Sequence, residues 1–314
     1  MATGNELQRL QARAQRKKLM KRNWVLYLFL IPTLIYAVMF WYAPMYGVII
    51  SFKNYRVSKG IIGSDWAGFK WFLKFFKSPR FVETLTNTLA LSFYTLLASF
   101  PFPILLALLM NNIQNQRRKK FVQTVTYMPY FISTVVLVGM MQLFFSPYGG
   151  LINTICSWFG GSGNTYFMGR PEYFRHMYVW SDVWQTIGWN SIIYMAALSG
   201  VDQSLHEAAK IDGANKFQRV LHIDLPALAP TICIMLILNC GNLMSIGYEK
   251  TYLMQNDLNV KVSEIISTYV YKIGIINREY SYSTAIGLFN SAVNYILVML
   301  INKIMKKLNG HGLW

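Results

Sequence analysis

Asn239, Asn242 and Ser245 follow one another at a spacing of three inside an otherwise apolar block, and Tyr248 extends the row. On a helix that spacing lines one face. Amides and a hydroxyl on one face can both donate to and accept from a polyhydroxylated ligand. A second apolar block carries Trp184, Trp189, Asn190 and Tyr194. Aromatic faces beside an amide suit a sugar, which has apolar C–H faces and a polar rim. Such polar groups also stitch helices together, for about 0.6 kcal/mol each, and Trp is common at membrane interfaces. Ligand contact and helix stitching both stay open at this level. Asn87, Tyr94 and Tyr127 are further candidates of the same kind.

Bond-making chemistry has no comparable foothold. No G-x-x-x-x-G-K-[ST] occurs, so no P-loop cradles a phosphate. The stretch from Gly160 to Thr165 is glycine-rich but lacks the lysine and reads as a turn. His206-Glu207 begins like a zinc-binding H-E-x-x-H, but Lys210 stands where the second histidine belongs. The four histidines do not cluster at ligand spacing, and the apolar blocks hold no neighbouring carboxylate pair. No catalytic residue, metal ligand or bound cofactor is therefore expected. Cys156, Cys233 and Cys240 form no CxxC pair and no disulfide framework, and read as small packing residues.

The elements that must position these side chains are membrane helices. Of the 314 residues, 54% are hydrophobic and 14% charged, against about 25% charged in a soluble domain. The apolar residues fall in blocks of about 20 or more, the length that crosses about 30 Å of hydrocarbon. Six spans are predicted, at 24–50, 85–110, 121–145, 179–200, 228–248 and 284–302, the first broken by Pro32 and Pro44. The first is too long for the apolar core of a cleavable signal and is expected to stay. There is no internal repeat and no low-complexity segment, so one all-α integral membrane domain over 24–305 is expected.

The formal net charge of +17 would suggest nucleic acid on a soluble protein. Here the basic residues flank apolar blocks, which makes them topological signals, and no nucleic-acid partner is expected. With the N-terminus inside, the inner segments hold 17 Lys and Arg and the outer ones 13. The outer excess comes from the segment Trp66–Lys77, where Lys70, Lys74 and Lys77 recur at helical spacing among aromatics, a pattern for the membrane interface. Arg16–Arg22 and Arg117–Lys120 favour both termini inside. Residues 1–23 read as a basic cytoplasmic segment and 306–314 as a cytoplasmic tail.

Between the fourth and fifth spans lies a polar segment, 201–230. Ser204 followed by Glu207 fits a capping box and a helix start. Ala208 and Ala209 keep one face small. Asp212-Gly213 marks a turn, and Phe217, Val220 and Leu221 recur with helical period. Pro226 and Pro230 are expected to end that second helix and restart the next span. The product is a helix–turn–helix finger shaped to dock in a groove.

The pattern Glu207-Ala208-Ala209-x-x-Asp212-Gly213-Ala214, with Ile223 and Pro226 downstream, resembles the EAA loop of binding-protein-dependent ABC importer permeases. The resemblance spans nearly the whole chain, from Tyr42-Ala-Pro-Met-Tyr-Gly47 through Pro129-Tyr-Phe-Ile-Ser133 to the last helix. It points to the maltose-type carbohydrate branch, and within it to permeases for oligosaccharides and polysaccharide fragments. Val220-Leu221 departs from it, since relatives often carry aromatics there.

The resemblance implies a type I importer bundle whose finger is the coupling helix. Glu207, Ala208, Ala209, Asp212, Gly213 and Ala214 would sit in a cleft of a cytoplasmic ATPase, Glu207 meeting basic or backbone donors and Gly213 setting the bend. Trp184, Trp189, Asn242 and Ser245 align with sugar-contact positions of that family. The implied partners are a second homologous permease, two ATP-binding subunits that carry ATP and Mg2+, an extracellular solute-binding protein, membrane lipid and a carbohydrate. The implied place is the bacterial cytoplasmic membrane. The rivals are a permease for another polyol or phosphorylated sugar, a secondary transporter with inverted repeats and buried ionisable groups, and a membrane-embedded glycosyl enzyme with an acidic pair.

Overall fold

The computed structural model describes residues 22–309 together with Gln15, Lys18 and Leu19. Most of the basic N-terminal segment, and residues 310–314 of the tail, lie outside the described residues. Two compact units divide at Gly68.

In the first unit, α1 (Trp24–Ala37) continues without a break through a π turn (Val38–Tyr42) and short turns to Phe52, giving 29 helical residues. Pro32 and Pro44 are expected to break it, but Pro32 lies within α1 and Pro44 follows the π turn in unbroken helix. A proline lacks its N–H and clashes with the carbonyl four residues back. The π turn removes the conflict, because Ala43, just before the proline, donates to the carbonyl of Val38 five residues back. No side chain of α1 is buried. A short antiparallel pair follows, β1 (Lys53–Asn54) with β2 (Asp65–Trp66), with Phe52 stacked on Trp66 at 5.9 Å.

The second unit begins with α2 (Lys70–Lys77), so the helix covers only the later part of the basic aromatic segment. Its Phe75 is buried among Phe81, Tyr269 and Phe289, and Lys74 bonds Glu279 at 2.8 Å. Then come α3 (Pro79–Ser99) and α4 (Pro101–Asn111), which together form one apolar stretch of 33 residues. The predicted third span is not straight. α5 (Gln116–Tyr127) and a 3-10 turn around Pro129 meet α6 (Thr134–Phe144) at 95°, and Ser133 caps α6 through the N–H of Val136. α7 (Leu151–Trp158) leads to α8 (Pro171–Ser199), the longest helix before the C-terminal one.

α8 is the axis of this unit, packing most extensively on α4 and α3 and also on α5. Gly188 permits the α5 approach, because a Cβ there would drive into the carbonyl of Thr126. Beyond α8 lie α9 (Gln203–Ile211), α10 (Lys216–Arg219), a π turn (Val220–Asp224) and α11 (Leu225–Cys240). Neither Pro226 nor Pro230 ends the helix, and Pro230 lies inside α11. Leu225 donates to the carbonyl of Val220, the same device as at Pro44, so Lys216–Cys240 is one 25-residue helical segment. After a break come α12 (Tyr248–Met254), α13 (Ile266–Tyr271) and α14 (Tyr280–Asn309).

Among the described residues, four helices are long and apolar enough to cross a membrane, or five if the bent α5–α6 pair is one span. At 29 residues α8 rises about 43 Å but is more polar than these.

Candidate functional site

The predicted polar row does not lie on one helix. α11 ends at Cys240, a 3-10 turn occupies Leu243–Ser245, and α12 starts at Tyr248. Asn239, Asn242 and Ser245 nevertheless share the wall of one cavity of about 300 Å3 with Asn190, at the low end of the range for ligand sites. α8 contributes Tyr178, Asp182, Thr186 and Asn190, one residue per turn. α3 adds Ser92, Thr95 and Ser99 at i, i+3 and i+7.

Trp184, Trp189 and Tyr248 lie outside this lining. Trp189 stacks on Tyr130 at 4.4 Å with rings 2° from parallel, and Tyr248 packs on Tyr252 and Tyr271. Trp184 is exposed. Asn87 is a stitch: it donates to the carbonyls of Lys261 and Glu264 and accepts from Arg175. Tyr94 meets His176 at 2.8 Å and accepts from Trp180.

Hydrogen bonding sets the polarity of the wall. Asn239 and Asn242 each donate N–H2 to the carbonyl four residues back, Met235 at 2.8 Å and Leu238 at 3.3 Å. Their Oδ1 atoms are left to accept. Asp182 accepts from Ser99 at 3.3 Å and faces Lys250 at 3.6 Å. The Lys250 ammonium is buried, donates to the Tyr178 carbonyl at 3.0 Å and lies over the Tyr178 ring. Reading from sequence missed this ion pair, because Lys250 falls in a segment expected to be an outer loop. Asp182 was missed as well, although an ionisable group within a span usually marks a functional interior.

The second site is the finger. Asp202, not Ser204, caps α9: its carboxylate accepts from the Ser204 N–H at 2.9 Å, which holds it below the usual carboxylate range. The capping box falls instead at Asn215 and Gln218, each bonding the other's backbone N–H. At the turn Gly213 has φ +79°. Its N–H donates to Lys210 and that of Ala214 to Ala209, the Schellman arrangement that closes a helix on a left-handed glycine. Leu205, Glu207, Ile211 and Phe217 are exposed on the finger. At its base His206 meets the buried Asp224 at 3.3 Å, and Asn111 of α4 donates to the same carboxylate.

Long apolar helices, a polar cavity between them and an exposed, capped finger fit a membrane transport subunit. The chain belongs to the binding-protein-dependent transport system inner membrane component family, whose model matches residues 99–309. It is 43% identical to the polygalacturonan/rhamnogalacturonan transport system permease protein YteP of Bacillus subtilis, over 95% of this chain and 92% of that one. Protein LplB of the same organism is also 43% identical, over 94% of this chain and 92% of its own. A crystal structure of a bacterial ABC transporter that imports the acidic polysaccharide alginate contains a chain that superposes with a TM-score of 0.86. That chain is 36% identical, with 94% of this chain and 99% of that chain covered. A crystal structure of a bacterial alginate ABC transporter in complex with an alginate-pentasaccharide-bound periplasmic protein also contains a chain 36% identical, with a TM-score of 0.86. This protein is thus a multi-pass membrane permease subunit of an ATP-driven importer and not an enzyme; ATP hydrolysis belongs to a partner ATPase.

Proposed function

We propose that the chain forms one wall of the path for an oligosaccharide or polysaccharide fragment. An extracellular solute-binding protein delivers the saccharide, a second homologous permease completes the cavity, and two ATP-binding subunits carrying ATP and Mg2+ supply the drive. The observation that carries this reading is the convergence of Asn190, Asn239, Asn242 and Ser245 on one cavity. Two amide oxygens that accept, beside a hydroxyl, match the alternating donors and acceptors of a sugar rim. Trp184, Trp189 and Tyr248 then belong to its outer approaches.

The coupling would run through the finger. Glu207, Ala208, Ala209, Asp212, Gly213 and Ala214 dock in the ATPase, and closure of the ATPases draws the finger inward. The segment Lys216–Cys240 is one helical rod from finger to cavity, about 37 Å long, so this movement reaches Asn239 directly. In this reading the bundle has six spans, both termini are cytoplasmic, and residues 201–230 are the coupling loop of a membrane domain covering 24–305.

Polygalacturonan and alginate are both acidic polysaccharides, so acidic fragments head the substrate panel. The test is uptake into proteoliposomes holding the full complex and its binding protein. Oligogalacturonates and alginate fragments are compared with neutral oligosaccharides and glycerol 3-phosphate. ATP-dependent accumulation of oligosaccharides supports the reading. Accumulation of glycerol 3-phosphate alone, or uptake driven by an ion gradient without ATP, contradicts it.

A further inference from the structure

The break between α11 and α12 leaves the backbone of residues 241–247 only partly bonded to itself: the N–H groups of Gly241, Asn242 and Ser245 reach Ile237, Asn239 and Asn242, while that of Met244 goes to a side chain. An unpaired peptide group away from water is costly, so something must hold this stretch. Two asparagines of α14, four residues apart and hence on one helix face, bracket a single residue of it. Asn294 Oδ1 accepts from the Met244 N–H at 2.9 Å, and Asn290 Nδ2 donates to the Met244 carbonyl at 3.0 Å. From α3, Ser92 Oγ donates to the Leu243 carbonyl. The Met244 side chain is fully buried, in a cluster with Ile286 of α14.

The backbone fixes which way the Asn294 amide points. The Met244 N–H can only donate, so Oδ1 must face it, and the N–H2 is turned toward Ser245. That N–H2 donates to Ser245 Oγ at 2.8 Å. A serine hydroxyl has two acceptor lone pairs and one proton. With a lone pair engaged by Asn294, the proton is directed elsewhere, and Ser245 lines the cavity.

We infer that Asn290 and Asn294 clamp the broken span, and that Asn294 makes Ser245 a hydrogen-bond donor to the saccharide. Asn294 is a positioning residue and touches no substrate itself. With Asn239 and Asn242 presenting acceptors, the wall fits a pair of neighbouring oxygens, one donating its proton to an amide and the other accepting from Ser245. This inference rests on the proposed reading of the cavity as the saccharide site.

The test is a double-mutant cycle in the complete transporter, reading initial uptake at saturating loaded binding protein. Asn294→Asp keeps an acceptor for the Met244 N–H but loses the donor to Ser245, whose proton then turns to the new carboxylate. N294D and S245A should each lower uptake about three- to ten-fold, the effect of one lost hydrogen bond. Assembly of the complex, read by size-exclusion chromatography in detergent, should be retained in both. The double variant should be no slower than either single one, because both remove the same donor; a purely structural role for Asn294 would give additive losses. Additive losses, or full uptake by N294D beside a slow S245A, overturn the inference. Full uptake by S245A overturns the reading of the cavity itself. Should N294D not assemble, Asn294→Ser removes the same donor, and full uptake there overturns the inference equally.

Discussion

Asp182 and Lys250 show how much of the site depends on single contacts. Lys250 is 5% exposed, and Asp182 is the carboxylate that faces it. Removing one member of a buried pair leaves an uncompensated charge, at a cost on the order of 3 kcal/mol. Asp182→Ala should therefore lower the yield of folded transporter, and Lys250→Met in the same chain should restore it; thermal unfolding in detergent reads both. Asn242→Ala should lower uptake about two- to ten-fold and leave basal ATPase activity unchanged, as measured on the reconstituted complex. The polar row at 239, 242 and 245 was legible because its spacing of three survives the break. The α8 row was half legible: Asn190 stood out beside tryptophans, while Asp182 and Thr186, each one turn nearer the N-terminus, complete its face. Trp184 and Trp189 drew attention by type, yet they sit off that four-residue period. No spacing rule could announce Lys250 or Asn294, because their partners lie 68 and 49 residues away in sequence or in the main chain of another element.

The elements were legible where hydrophobic length alone decides, and illegible where a local device overrides it. Pro44 and Pro226 look like helix ends, but each stands two residues beyond a π turn that reroutes the hydrogen bonds. The turn at Val220–Asp224 sets the rotation of the finger relative to α11. Pro226→Ala restores a donor that an ordinary α-helix can use, so the π turn can relax and rotate the finger by about 100°, one residue's worth. The expected outcome is ATP hydrolysis that continues with uptake several-fold lower, read as the ratio of the two rates. Gly213 holds the finger's other joint at φ +79°, where a β-branched residue is strained and asparagine is tolerated. Gly213→Val should lose bound ATPase in pull-down, whereas Gly213→Asn should retain it. The bend at Pro129 and the cap at Ser133 broke a stretch that composition presents as one span.

Across the whole molecule, the apolar blocks and the finger pattern made the class readable from sequence. Nothing in one chain's spacing could show the shape of the cavity, which depends on three helices and a broken segment meeting. The second unit supplies that cavity and the finger together, joined by the Lys216–Cys240 rod. This pairing of a polar cavity with a docking finger is the central claim: the chain moves saccharide only when an ATPase holds the finger. The most direct measurement is purification in mild detergent from the native membrane, with co-purifying proteins identified by mass spectrometry. The expected result is recovery of a P-loop ATPase and a second permease, with the ATPase lost on Gly213→Val. A chain that purifies alone, under conditions that keep a known importer intact, would contradict it.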